Sequence, residues 1–239
     1  HGLALLREIL AAIDISEGNI ELGRRQVQEA IDWLMPNGDW SAVASILTTS
    51  AQFLMDAGEL EFALQHLDRA YSIHLLDGDL QGQGDVLSYM GLLEQHKGNW
   101  RRSGELYQEA LAISRQSGDR QNEAIAQMSL GNVAMTEGSL DEANHLLTSA
   151  LALAREIGDL RGQSLTLGML GRLMMKRSQY SDANRYYLDA SSISAETGNK
   201  VEQASFSFAA GSAASQAGDL ENALHQYTEA ADIYRELGR

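Results

Sequence analysis

The chain of 239 residues has no cysteine, and its only proline is Pro36. The first absence removes disulfides, thiol nucleophiles and thiolate metal sites together. It is compatible with a reducing compartment, so the cytoplasm is the default expectation. The second leaves the apolar pattern free of helix breakers, and no Gly/Ser tract or block of like charge supplies a linker instead. Basic side chains are scarce: 18 against 33 acidic ones give a formal net charge of −15, which repels a phosphate backbone and argues against nucleic acid as a direct ligand. No apolar run approaches the roughly 20 residues that span a bilayer, so no membrane partner is expected. The opening residues HGLALLREILAAID carry acidic groups and no signal-cleavage pattern, although a signal removed from a precursor stays open.

Catalytic motifs are missing as well. The histidines are His1, His66, His74, His96, His145 and His225, and no two stand four apart as a zinc motif such as H-E-x-x-H requires. No G-x-x-x-x-G-K-[ST] phosphate loop occurs. Paired acids such as Asp141 and Glu142 open a helix, where the macrodipole favours them. No nucleophile is set beside a base, so neither an enzymatic activity nor a cofactor or metal is expected.

What the sequence does contain is a period. Gly38, Gly78, Gly118, Gly158, Gly198 and Gly238 stand forty residues apart, and Ala30, Ala70, Ala110, Ala150, Ala190 and Ala230 keep the same step. A fixed period of about 20–50 residues marks a solenoid or array. A second set of turns, Gly18, Gly58, Gly98, Gly138, Ser178 and Gly218, halves each copy into two helix-sized segments. Six copies, 1–38, 39–78, 79–118, 119–158, 159–198 and 199–239, account for the chain as a single array with no visible domain boundary. First helices are predicted near 2–17, 40–57, 80–97, 120–137, 160–177 and 200–217, and their partners near 20–37, 60–77, 100–117, 140–157, 180–197 and 220–237. Within 140–157 the residues Leu140, Ala143, Leu147, Ala150, Leu151 and Ala154 recur at three and four, the stripe of an amphipathic helix.

Punctuation supports these ends. Glycine at the boundaries closes a helix in the left-handed conformation, and Asp39, Asp79, Asp119, Asp159 and Asn199 follow as N-caps. Asn19, Asn99, Ser139 and Asp219 are the corresponding caps at the inner turns, with a capping box between Ser139 and Glu142. Small residues recur where helices must approach closely: Gly91, Gly131, Gly171 and Gly211 in first helices, Ala63, Ala143, Ala183 and Ala223 in second helices. Val27, Leu67, Tyr107, Leu147, Tyr187 and Tyr227 occupy one equivalent place, as core knobs would.

Leu130-Gly131 with Ala143, Leu147 and Ala150, and Leu170-Gly171 with Ala183, Tyr187 and Ala190, resemble the tetratricopeptide repeat, and the resemblance covers essentially the whole chain. Copy one departs most, with Ala11 and Gly23 at the two small places, and the proline that usually follows the second helix is missing. The resemblance implies an all-α fold: an α-solenoid, a right-handed superhelix of six 40-residue helix-turn-helix units and twelve helices. Forty-residue copies with GD at the boundary and LGN in the first helix look like the arrays of bacterial signalling ATPases and transcription activators, and of adaptors with Leu-Gly-Asn repeats. Fifteen Arg against three Lys lean towards a bacterium of high GC content.

The family builds its concave binding face mainly from first helices. Carried onto this sequence, that face contains Thr48, Gln52, Met55 and Asp56; Ser88, Leu92, Gln95 and His96; Met128, Asn132, Met135 and Thr136; Arg172, Met175 and Lys176; Phe208, Ser212 and Gln216. Met55, Met135 and Met175 share a repeat position and form either an adaptable apolar strip for a peptide or part of the packing. Asn132 and Arg172 share another, and with Lys176 they are either candidates to hold a carboxylate or a backbone amide, or solvated charge that balances an acidic scaffold. The Lys, Asn and Arg cluster of the family's two-carboxylate clamp is absent.

The expected function is a non-enzymatic module that binds a protein or peptide segment, as the sensor or scaffold part of a larger bacterial signalling or transcription-regulatory protein. A small-molecule sensor, which needs a closed pocket, and a self-assembling structural array are the alternatives. The last helix carries Leu220, Ala223, Leu224, Tyr227, Ala230, Ala231 and Tyr234, more apolar positions than one inward stripe requires. This leads to the expectation that the chain is cut from a longer array or pairs with a second copy through that helix.

Overall fold

The structure, a computed structural model, describes residues 2–238, with side chains from Leu6 onward. His1 and Arg239, the outer ends of the first and last expected copies, lie outside the described residues. Among the described residues every regular segment is helical: α1 Gly2–Ser16, α2 Ile20–Leu34, α3 Trp40–Asp56, α4 Leu60–Asp77, α5 Leu80–His96, α6 Trp100–Ser117, α7 Arg120–Glu137, α8 Leu140–Glu156, α9 Leu160–Lys176, α10 Tyr180–Glu196, α11 Lys200–Ala217 and α12 Leu220–Glu236. The fold is an all-α solenoid of helix pairs. The widest difference from the predicted ends is at α2. Its last turn tightens into 3-10 helix over Met35–Asn37, because Pro36 brings no N–H for an α-helical bond.

The turns explain the period. At the end of α6, Gly118 takes φ 74°, and the N–H of Asp119 reaches back to the carbonyl of Ser114 at 2.9 Å. That pairing satisfies a carbonyl the helix would otherwise leave open. The N–H of Asn99 does the same to Glu94, and that of Ser139 to Ala134, both at 2.8 Å. One turn is closed by a non-glycine: Ser178 stands at φ 57°.

Asp39, Asp79, Asp119, Asp159 and Asn199 each accept the backbone N–H three residues on, at 2.9–3.2 Å. Of the inner caps only Asp219 does so, from Asn222 at 3.2 Å. Asn19, Asn99 and Ser139 make no side-chain cap bond, so the expected capping box with Glu142 is not formed. The Asn99 amide is engaged elsewhere, donating to Glu94 Oε2 at 2.8 Å. Nothing in the structure explains the open cap at Ser139.

Residue contacts divide the chain into two compact units between Asn122 and Glu123, inside α7. In the first unit α1 pairs with α2, α3 with α4 and α5 with α6, while α2 packs on α3 and α4 on α5. In the second, α9 pairs with α10 and α11 with α12, while α8 packs on α9 and α10 on α11. The small-residue rule holds in both. A Cβ on Gly91 would stand 2.7 Å from the Tyr107 ring, and one on Gly131 2.8 Å from Leu147. One on Gly171 would stand 2.7 Å from Tyr187, and one on Gly211 2.9 Å from Tyr227. Val27, Leu67, Tyr107, Leu147 and Tyr187 are buried, and full burial of such side chains contributes roughly 1.5–3 kcal/mol apiece. In copy one Gly23 lies against Ile15 and the Ala11 carbonyl, which keeps the same close approach with the glycine on the other helix.

Candidate partner-binding face

The period places equivalent residues of successive first helices in rows. In the first unit Thr48, Gln52 and Met55 of α3 are matched by Ser88, Leu92 and Gln95 of α5. The hydroxyls of this row turn inward along their own helices: Thr48 Oγ1 donates to the Ala44 carbonyl at 2.9 Å and Ser88 Oγ to that of Gly84 at 3.0 Å. Gln52 and Gln95 are half-buried and Leu92 is exposed.

Beside this row lies a polar network that the sequence reading missed. Asp85 Oδ1 accepts from Asn122 Nδ2 at 2.6 Å, and the same amide donates to Asp119 Oδ2 at 2.9 Å. Burial pushes the Asp85 carboxyl above its ordinary value, with Asp119 and Asp79 adding to the effect, against the lowering by the Asn122 bond and by His74. Burial likewise raises the Tyr89 phenol, helped by Asp85, while a bond from Gln52 opposes it. The available signal was a departure from the repeat: Asp85 and Tyr89, one turn apart, stand where copy five has Leu165 and Met169.

In the second unit Asn132 of α7 and Arg172 of α9 share a repeat position and meet, Arg172 Nη2 donating to Asn132 Oδ1 at 2.6 Å. Lys176 is exposed one turn beyond Arg172, and Met175 is half-buried. Met128 is half-buried and accepts at Sδ from Thr166 Oγ1 at 3.4 Å. Ser212 of α11 is half-buried, and Phe208 is exposed with its ring centroid 5.2 Å from that of Tyr227.

Of the two readings of the shared methionine position, packing holds for two of its three members. Met55 and Met135 are only 4% and 1% exposed, and Met135 belongs to the core with Ala134, Leu147, Leu151 and Leu170. Their position points between helices, where a flexible thioether fills an irregular gap. The apolar strip read across three copies reduces to Met175, with Met128 and Phe208 on other positions.

The apolar residues of the last helix divide between its two sides. Leu220 and Leu224 are exposed, but Ala223 and Ala230 are buried, and the half-buried Tyr234 has its hydroxyl 3.1 Å from Ser205 Oγ. Among the described residues no helix is long and apolar enough to cross a membrane.

Solved structures with similar folds are of several kinds. BtubC (BKLC) from P. vanneervenii is 17% identical, with a TM-score of 0.79 over 93% of this chain and 92% of that one. A signal transduction ATPase with numerous domains, carrying a tetratricopeptide repeat sensor, from Pyrococcus horikoshii is 18% identical, with a TM-score of 0.69 over 97% of this chain and 38% of that one. A Rap protein complexed with Competence and Sporulation Factor is 14% identical, with a TM-score of 0.72 over 98% of this chain and 75% of that one. Identities this low carry the fold alone, and no curated protein matches the chain in sequence. The family model of the tetratricopeptide repeat matches residues 82–156, and the same forty-residue period continues on either side of them. Residues 82–156 thus carry a match to the tetratricopeptide repeat, and the fold of the chain is similar to that of proteins with such repeats.

Proposed function

We propose that the chain is a non-enzymatic module that binds a protein or peptide segment on its first-helix face, as the cytoplasmic sensor or scaffold part of a larger bacterial signalling protein. The observation that carries this reading is the Asn132–Arg172 pair of the second unit. Two neighbouring copies present a linked amide and guanidinium on the face where the family binds partners. Arg172 and Lys176 are exposed cations on an acidic chain, with Met175 and Phe208 offering apolar surface on the same helices or the next. An extended segment with an acidic or C-terminal carboxylate fits this mixture, since a guanidinium holds a carboxylate with two parallel bonds. The similarity to a Rap protein solved with Competence and Sporulation Factor, and to an ATPase with a repeat sensor, supports a sensing role.

The test is to select binders from a random peptide library displayed on phage and to measure the selected peptides by calorimetry. Arg172→Glu is expected to weaken acidic binders at least about tenfold, the scale of one lost charge-assisted contact, and less at high salt. Affinity unchanged at low salt would overturn the assignment.

A further inference from the structure

A pocket of about 290 Å³ opens between α2 and α4 of the first unit. It lies on second helices, and so apart from the face just discussed. Arg24, Arg25 and Arg69 line it with Glu21, Gln28 and His66, so three guanidinium groups face one carboxylate in a chain whose net charge is −15.

The three arginines are incompletely neutralised. Arg24 lies over the Phe62 ring, its guanidinium carbon 3.5 Å from the centroid, and donates through Nη1 to Glu21 at 3.1 Å. Its buried Nε has no hydrogen-bond partner, which costs free energy for a charged donor. Arg25 approaches Glu29 only at 3.9 Å. Among the described residues Arg69 has no carboxylate within ion-pair distance.

The pocket also breaks the repeat. Where Arg24 stands, the other copies have Leu64, Gly104, Asn144, Asn184 and Leu224; where His66 stands, they have Gln26, Leu106, Leu146, Tyr186 and Gln226. An imidazole 8% exposed and a guanidinium with a buried, unmatched donor are expensive replacements for these residues, none of which is charged at neutral pH. Both fall in one pocket. The His66 ring, whose Nδ1 is 3.1 Å from Ser50 Oγ, registers the charge there: its pKa is lowered to about 4 by burial and then by Arg69 and Arg24.

We propose that this pocket binds a phosphoryl group, free or carried on a phosphorylated side chain, with Arg24, Arg25 and Arg69 as its ligands. Guanidinium forks match phosphate oxygens in geometry. The excess of two positive charges matches a phosphate monoester, which carries about −1.5 to −2 at neutral pH, better than a single carboxylate.

The experiment titrates the whole chain with inorganic phosphate, O-phosphoserine and acetate by calorimetry at constant ionic strength. The His66 ring resonance is followed by NMR and assigned with His66→Gln. Phosphate or phosphoserine is expected to bind at one site per chain and to shift the His66 resonance, with acetate at least about tenfold weaker. Arg69→Ala is expected to weaken phosphate about tenfold, the scale of one charge-assisted bond. Arg101→Ala, which removes an exposed arginine beyond this pocket, is expected to change nothing. Tighter binding of phosphoserine than of phosphate assigns the site to a phosphorylated side chain, and equal binding assigns it to free phosphate. No saturable heat, equal binding of acetate, or equal losses in the two arginine variants would overturn the proposal.

Discussion

The two units use one backbone repeat and connect their helices through different chemistry. In the first, polar contacts between helices run through titratable side chains: His66 against Ser50, Asp85 against Asn122, His74 against Asp79. In the second the contacts buried or partly buried between helices run through hydroxyls and amides, Ser164 with Ser194 and Ser191 with Ser207, both at 2.8 Å, and Asn184 Nδ2 on the Ala210 carbonyl at 2.9 Å, while the charged ones, Arg172 to Asn132, Arg177 to Asp141 and Lys200 to Glu236, are exposed. The helix pairs themselves are made alike, by a small residue under a large knob. A repeat can therefore hold its architecture constant while its interhelical polar contacts are changed copy by copy. Chemistry in such an array is to be sought where a copy departs from the pattern.

The shared packing is the strongest feature and gives the largest expected effect. Gly131→Leu in the second unit forces volume against Leu147 and is expected to cost about 3 kcal/mol, the upper end of ordinary overpacking. Arg172→Ala, at an exposed site, should stay within about 0.5 kcal/mol. Urea unfolding followed by circular dichroism separates the two. Similar losses would show that the close helix contact is not what holds the pair together.

Most of the fold was legible in the sequence because each turn needs a particular residue type. A left-handed closing position followed by a cap leaves few choices, so Gly-Asp at forty-residue spacing marks helix ends without further information. The Asn132–Arg172 contact was legible for the same reason, since equal repeat positions in neighbouring copies become neighbours in space. Met55 and Met135 stayed open between strip and packing because a period says which residues are equivalent but not which way their position points. The Arg24, His66 and Arg69 pocket was hidden because its members occupy different repeat positions on two second helices and meet only once α2 lies beside α4.

The chemical difference between the units is sharpened by pH. The pKa of His66 is depressed in the folded state to about 4 from 6.5. Its contribution to stability is thus fully present above pH 6.5 and is lost as pH falls through 4. The loss by pH 4 is expected to be about 2–3 kcal/mol. Asp85 has the opposite sign: its raised pKa gives a contribution that is present below its unfolded value of 3.8 and is lost as pH rises through the folded value. Trp33, Trp40 and Trp100 all lie in the first unit, so tryptophan fluorescence in urea reports that unit. His66→Gln is expected to flatten the fluorescence-detected loss between pH 6.5 and 4, and Asp85→Asn to raise the midpoint at pH 7. If neither variant changes the pH profile, the polar contrast between the units has no energetic consequence.

The smallest expected effect tests whether the turns of the two units are as interchangeable as their period implies. In the second unit α9 is closed by Ser178 at φ 57°, whereas in the first unit α5 is closed by Gly98 at φ 78°. Both turns make the same backbone bonds: the N–H of Gln179 reaches Met174 O at 2.9 Å, and that of Asn99 reaches Glu94 O at 2.8 Å. A side chain in the left-handed region costs about 1–2 kcal/mol through the clash of Cβ with the following carbonyl. Part of that cost is offset because glycine loses more backbone entropy on folding, by roughly 0.5–1 kcal/mol. Ser178→Gly should therefore stabilise the chain by about 0.5 kcal/mol, and Gly98→Ser should destabilise it by a similar amount. Because a Cβ on Gly98 would meet nothing within 4 Å, the second substitution measures backbone strain without a packing clash. Opposite shifts of equal size in the urea midpoint would make the two turns equivalent. A Gly98→Ser loss several times larger than the Ser178→Gly gain would show that α9 and its neighbours have adapted to the serine, and the two units would then differ in their turns as well as in their polar contacts.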